Sequence, residues 1–139
     1  MTLIYLLWIY IRIKMIKKSL IILIFILIVG CDDDSLNNVI YKEVAYNSLS
    51  EREKSSLTVD WQDAKIENGI YKKGQCENEF ISGNENRLCF FVKDENISLW
   101  EDQKLIAVIF NTNDDALLGP IIVIVDPEGP KVIGGVGRL

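Results

Sequence analysis

The side chains able to do chemistry are few in this 139-residue chain: Cys31, Cys76 and Cys89, twenty Asp and Glu, and no histidine. Without an imidazole, Ser-His and Cys-His nucleophile pairs cannot be assembled, and the commonest general base at neutral pH is missing. Adjacent carboxylates stand at Asp94-Glu95, Glu101-Asp102 and Asp114-Asp115. Neighbours of this kind are solvated loop residues more often than an acid and base pair. Asn111, Asn113 and Asp115 supply the alternating oxygens with which a calcium loop begins. An EF-hand then calls for Gly at its sixth position and a bidentate acid at its twelfth, where this chain has Ala116 and Ile122. A polar hairpin end, in which Asn and Asp favour turns, accounts for the three residues. The glycines of Gly134-Gly135-Val136-Gly137 read as the end of a strand or a tail rather than as a phosphate cradle. The expectation is a non-catalytic protein with no metal and no cofactor.

One thiol has a distinctive setting. Lys17-Lys18-Ser19 is followed by the apolar stretch Leu20 to Val29, then Gly30 and Cys31, then three aspartates. A positive segment, a short apolar segment and small residues before a cut make a secretory signal. A spanning helix needs about 20 apolar residues, and Leu20 to Val29 is much shorter. Ile28-Val29-Gly30-Cys31 resembles the lipobox of bacterial lipoproteins. That resemblance implies that Ile28, Val29 and Gly30 are read by the signal peptidase, that the chain is cut before Cys31, and that the thiol carries diacylglycerol. Upstream, Thr2 to Ile11 is a second apolar block set off by Arg12 and Lys14. Two stacked signals make little physical sense, so translation is expected to start at Met15. The alternative is a long n-region that still functions.

Removing residues 1–30 leaves 109 residues, enough for one domain, with 11 Lys and Arg against 20 Asp and Glu, a net of −9. Such a domain is repelled by phosphate backbones and anionic headgroups, which argues against a nucleic-acid partner and assigns membrane attachment to the lipid. Stable attachment needs two acyl chains or more. With Cys31 lipidated, Cys76 and Cys89 remain as a pair suited to a disulfide outside the cytoplasm. Two free thiols or a metal pair are the rivals, but zinc would need carboxylates or water to complete its shell. The pair brackets Glu77 to Leu88, whose Ser82-Gly83-Asn84-Glu85-Asn86 reads as a turn between two extended arms.

The elements follow from local signals. Asp32 to Asn38 is polar and unpatterned, so residues 31–47 are expected to be the lipidated cysteine and a tether. Ser50-Glu51-Arg52-Glu53 has capping-box form, and Leu49, Leu57 and Trp61 can line one side of a helix running to about Asp60. Ala64 to Tyr71, Leu88 to Lys93 and Lys104 to Thr112 are strand candidates. Pro120 to Val125 is a β-branched run, and Asp126-Pro127-Glu128-Gly129-Pro130 turns it into Lys131-Val132-Ile133. Such runs bounded by Gly and Pro mark buried strands. Residues 48–139 are therefore expected to form a single α+β domain, a short helix packed on an antiparallel sheet of three to five strands. Tyr71 and Trp100 are expected to pack on the sheet; exposed together, they would mark an interface.

Leu105 to Thr112, the loop Asp114 to Pro120 and the strand Ile121 to Val125 ending in Asp126 look like small uncharacterised lipoproteins of Bacillus-type bacteria. The order of elements from Ser48 to Gly135 is also similar to PepSY-like domains. The second resemblance implies an extracytoplasmic module that restrains peptidases, and it supplies no catalytic residues. The functional expectation is a lipid-anchored protein on the extracytoplasmic face of the cell membrane with a binding or regulatory domain. An envelope protein is its expected partner and a monomer its default state. A peptidase-inhibitor-like or immunity-type protective lipoprotein is the alternative.

Overall fold

The computed structural model describes residues 33–138. Seven strands form one antiparallel sheet: β1 Lys65–Lys72, β2 Glu79–Ser82, β3 Arg87–Cys89, β4 Phe91–Val92, β5 Lys104–Phe110, β6 Ile121–Asp126 and β7 Lys131–Gly135. The α+β class is as expected, but seven strands exceed the expected three to five. The helices are α1 Asp33–Asn47, α2 Glu51–Ser55 and α3 Asp115–Leu118, and a 3-10 turn spans Trp61–Asp63.

The strand order is β3-β2-β1-β5-β6-β7-β4, so β3 and β4 lie at opposite edges although only Phe90 separates them in the chain. Two peptide units reach at most about 7 Å, so the two edges must come together and the sheet must roll. Phe90 makes the handover. Its N–H donates to Asn78 O beside β2 (3.1 Å), while the next residue, Phe91, pairs with Gly135 of β7. The expected single strand Leu88 to Lys93 is thus corrected to two short strands, because the chain changes edge at Phe90.

Rolling gives the central strands two buried faces. On one face Tyr71, Phe80, Phe90, Leu105, Ala107, Ile122, Ile124 and Ile133 pack together. On the other, Ile106, Val108, Phe110, Ile121, Val123 and Val125 pack against Ala45, Leu49 and Ala64. Side chains of a strand alternate between faces, so a strand covered on both sides has no polar alternation to show. This accounts for the nearly continuous apolar sequence of β5 and β6. Between β6 and β7 the register shifts: Ile124 pairs with Gly134 and Val125 with Val132, leaving Ile133 as the extra residue of a bulge.

α1 is the largest departure from expectation. Its 15 residues, read from sequence as tether, contain neither Gly nor Pro, and Tyr41, Ala45 and Leu49 recur at helical spacing toward the sheet. Tyr46 also stacks on Trp61 with ring centroids 5.7 Å apart. α2 has the anticipated capping box: Ser50 Oγ accepts from Glu53 N–H, and the Glu53 carboxylate accepts from Ser50 N–H at 2.7 Å. The helix ends at Ser55 rather than near Asp60 because the segment just after β5 takes over the backbone. Leu57 bridges Thr112, and Thr58 N–H donates to Asn111 O at 3.1 Å.

Gly134 is the tightest point of the closure, since a Cβ there would run into the backbone carbonyl of Phe91. Gly134→Ala is expected to push β4 off β7 and lower stability by about 1–3 kcal/mol, the usual cost of forcing extra carbon into a packed site. Urea unfolding of the variant beside wild type measures this; an unchanged midpoint would show that the contact yields freely.

Candidate functional site

Two of the three cysteines are paired. Cys76 and Cys89 are joined at 2.03 Å between sulfurs, with Cα atoms 5.8 Å apart. They bracket the hairpin expected between them: β2, a turn through Gly83 and Asn84, and β3, with Glu79 opposite Cys89. Below the link lies a carboxylate that sequence patterning did not single out. Glu79 is buried, accepts from Gln75 N–H at 2.8 Å and meets Arg87 Nη1 at 3.5 Å. Gly74 leaves the room this requires, because a Cβ there would collide with the Glu79 carboxylate.

The adjacent carboxylates singled out from sequence serve separate local structures. Glu101 and Asp102 close the end of β1, where Lys72 Nζ lies 3.4 Å from Glu101 Oε1 and 2.9 Å from Asp102 Oδ1. The hydrogen bond from Lys72 to Asp102 leads the interactions that raise the ammonium above its ordinary range. Asp94 accepts from both the backbone and the side-chain amide of Asn96, at 2.9 and 2.8 Å, which holds its carboxyl below the usual range.

Asp115 turns back to Thr112, accepting from its N–H at 2.9 Å and its hydroxyl at 2.7 Å. Asn111, Asn113 and Asp114 are exposed. Arg138 completes this corner: Nη2 donates to Thr112 Oγ1 at 2.7 Å and to Gly119 O at 2.6 Å. Of the three residues that suggested a calcium loop, Asp115 commits its carboxylate to Thr112 and so helps hold the β5–β6 connection. Among the described residues no group of three or more Cys, Asp and Glu is placed to hold a metal ion.

Tyr71 and Trp100 have different environments. Tyr71 is buried edge-to-face against Phe90, its hydroxyl 3.2 Å from Asn78 Oδ1. Burial, then the charges of Glu101 and Glu77, hold its phenol above the ordinary range. Trp100 is exposed, as is Phe91.

An open cleft of about 690 Å³ lies between α1 and the sheet, with Asn37, Asn38, Tyr41, Asn68, Ser82 and Lys104 among its lining residues. Lys104 is the single charged group among the described residues that line it. Ser82 Oγ is buried without a hydrogen-bond partner among the described residues. Neither the cleft nor Ser82 had a sequence signal, because the cleft exists only where α1 crosses the sheet.

Ile28, Val29, Gly30 and Cys31 lie outside the described residues, as does the expected start at Met15. Among the described residues no helix is long and apolar enough to cross a membrane. Compared with known protein families, curated proteins and solved structures, the chain matches none.

Two outcomes test these local assignments. Replacing both Cys76 and Cys89 by Ser is expected to cost about 3 kcal/mol, the chain-entropy value for a loop of this length, read as a lower urea midpoint. Asp102 has a φ of 64°, a conformation that Asn also tolerates. Asp102→Asn should therefore keep the turn while bringing the Lys72 ammonium down toward its ordinary range, followed by NMR titration. Because that pKa is raised in the fold, its stabilisation is fully present below the ordinary lysine value. It is lost as pH rises through the folded-state value, and the variant, which keeps the Glu101 contact, should show less of this alkaline loss.

Proposed function

We propose that the chain is a lipoprotein held at the extracytoplasmic face of the cell membrane by diacylglycerol on Cys31, and that its α+β domain binds a protein of the envelope without catalysing a reaction. The observation that carries this reading is the allocation of thiols. A disulfide sulfur has no capacity for a further thioether, so the Cys76–Cys89 link leaves Cys31, which follows Ile28-Val29-Gly30, as the third cysteine available for the lipid. A disulfide also suits an oxidising compartment.

Charge and composition support the same reading. The excess of acid over base disfavours nucleic acid and leaves attachment to the acyl chains. Exposed Trp100 and Phe91 offer the aromatic surface on which protein interfaces draw. The missing imidazole and the local engagement of Asp115, Asp94 and the Glu101-Asp102 pair favour binding over catalysis.

Intact mass of the protein extracted from membranes tests the anchor. The expected species starts at Cys31 and carries diacylglycerol, and Cys31→Ala leaves an unprocessed chain without lipid. A wild-type protein that keeps residues before Cys31 and bears no lipid would overturn the proposal. Crosslinking in intact cells tests the binding half: recovery of one envelope protein with the anchored wild type, and its loss with Cys31→Ala, is the expected result.

A further inference from the structure

The first turns of α1 are inverted relative to an ordinary surface helix. Asn37, Asn38 and Tyr41 line the cleft against the sheet, and Ala45 is fully buried one turn beyond Tyr41. Leu36, Val39 and Ile40 point the other way and are 63%, 47% and 43% exposed. Their spacing of three and four residues puts them on one face, roughly opposite Ala45 at 100° per residue. In a surface helix the apolar stripe faces the core and the polar residues face water. Here the amides of Asn37 and Asn38, themselves exposed, border the open cleft, and three branched apolar side chains lie on the face away from it. The pattern is local: Glu43 and Asn47, one and two turns further along the outer face, are polar and exposed. The apolar patch is therefore confined to the turns nearest Cys31.

Position in the chain identifies what covers this patch. Asp33, the first residue of α1, is two residues from Cys31, a reach of at most about 7 Å. Leu36 is five residues from the same cysteine, no more than about 18 Å even for an extended chain. A lipid on Cys31 fixes the start of the helix at the bilayer surface, so Leu36, Val39 and Ile40 are within reach of it. We infer that the outer face of the first two turns of α1 lies in the boundary between lipid headgroups and acyl chains, seating the domain on the membrane in a fixed orientation. This inference rests on the lipid anchor proposed above. Its occupant is lipid, because the patch fades with distance from the anchor, whereas a protein-binding face has no reason to do so.

The test uses the mature lipidated protein in zwitterionic phosphatidylcholine vesicles, with a nitroxide spin label at Leu36→Cys, Val39→Cys or Glu43→Cys in separate preparations. The expected result is that labels at 36 and 39 collide several-fold more with dissolved oxygen than with a water-soluble nickel chelate, at a depth of about 5–10 Å, and that the label at 43 shows the reverse preference. If the protein floats with the vesicles and its mass shows the lipid, yet labels at 36 and 39 meet the nickel chelate freely, the seating is wrong while the anchor stands. Shielding of these labels from both reagents would show that a second copy or another protein covers the face, and would also overturn the inference. If the mass shows no lipid on Cys31 and the protein does not float, the anchor itself fails and the seating fails with it.

Discussion

The handover at Phe90 constrains most of the fold. One residue connects strands that stand at the two edges of a seven-stranded sheet, and the short reach of two peptide units rolls the sheet. Once rolled, β5 and β6 have one face on the inner cluster around Phe80 and Leu105 and the other on the cluster beneath α1. Both faces then need apolar side chains. Gly134 admits the Phe91 carbonyl at the point of closure. The disulfide at Cys89 sits at the entrance to the same handover and fixes the hairpin that delivers the chain to it.

The polar groups serve this scaffold at its corners. Arg138 gathers Thr112 and Gly119 where β5 passes into β6, and Lys72 with Asp102 secures the end of β1. Glu79 is held beneath the disulfide between a backbone amide and Arg87. Buried polar groups are tolerated when their hydrogen bonds are met. Ser82 is the exception among the described residues, and it stands beside the open cleft.

Sequence patterning located the strong elements because their signals are local. The Ser50 to Glu53 capping box, the β-branched run before Asp126 and the turn through Gly83 each depend on residues close in the chain. The unread features depend on distant contacts. Nothing near Phe90 announces an edge change, since the pairing partners are Asn78 on one side and Gly135 on the other. α1 escaped because its buried stripe is narrow: Ala45 is small, Asn37 and Asn38 occupy cleft-facing positions, and its apolar residues in the first turns face outward. A pattern that assumes apolar means inward finds no helix there. Of the residues described, the cysteine pair was legible from count, whereas Glu79, Ser82 and Arg138 acquire their roles only through residues brought to them by folding.

The brevity of the two terminal strands has a consequence for a chain in a crowded compartment. β3 offers three residues and β4 two, and the sheet's rolling brings these margins toward each other. Long unpaired margins recruit strands from neighbouring molecules, and shortening them is one way natural proteins avoid fibrous self-association. The same turn of the chain that closes this sheet thus leaves little exposed ladder on which another copy could grow.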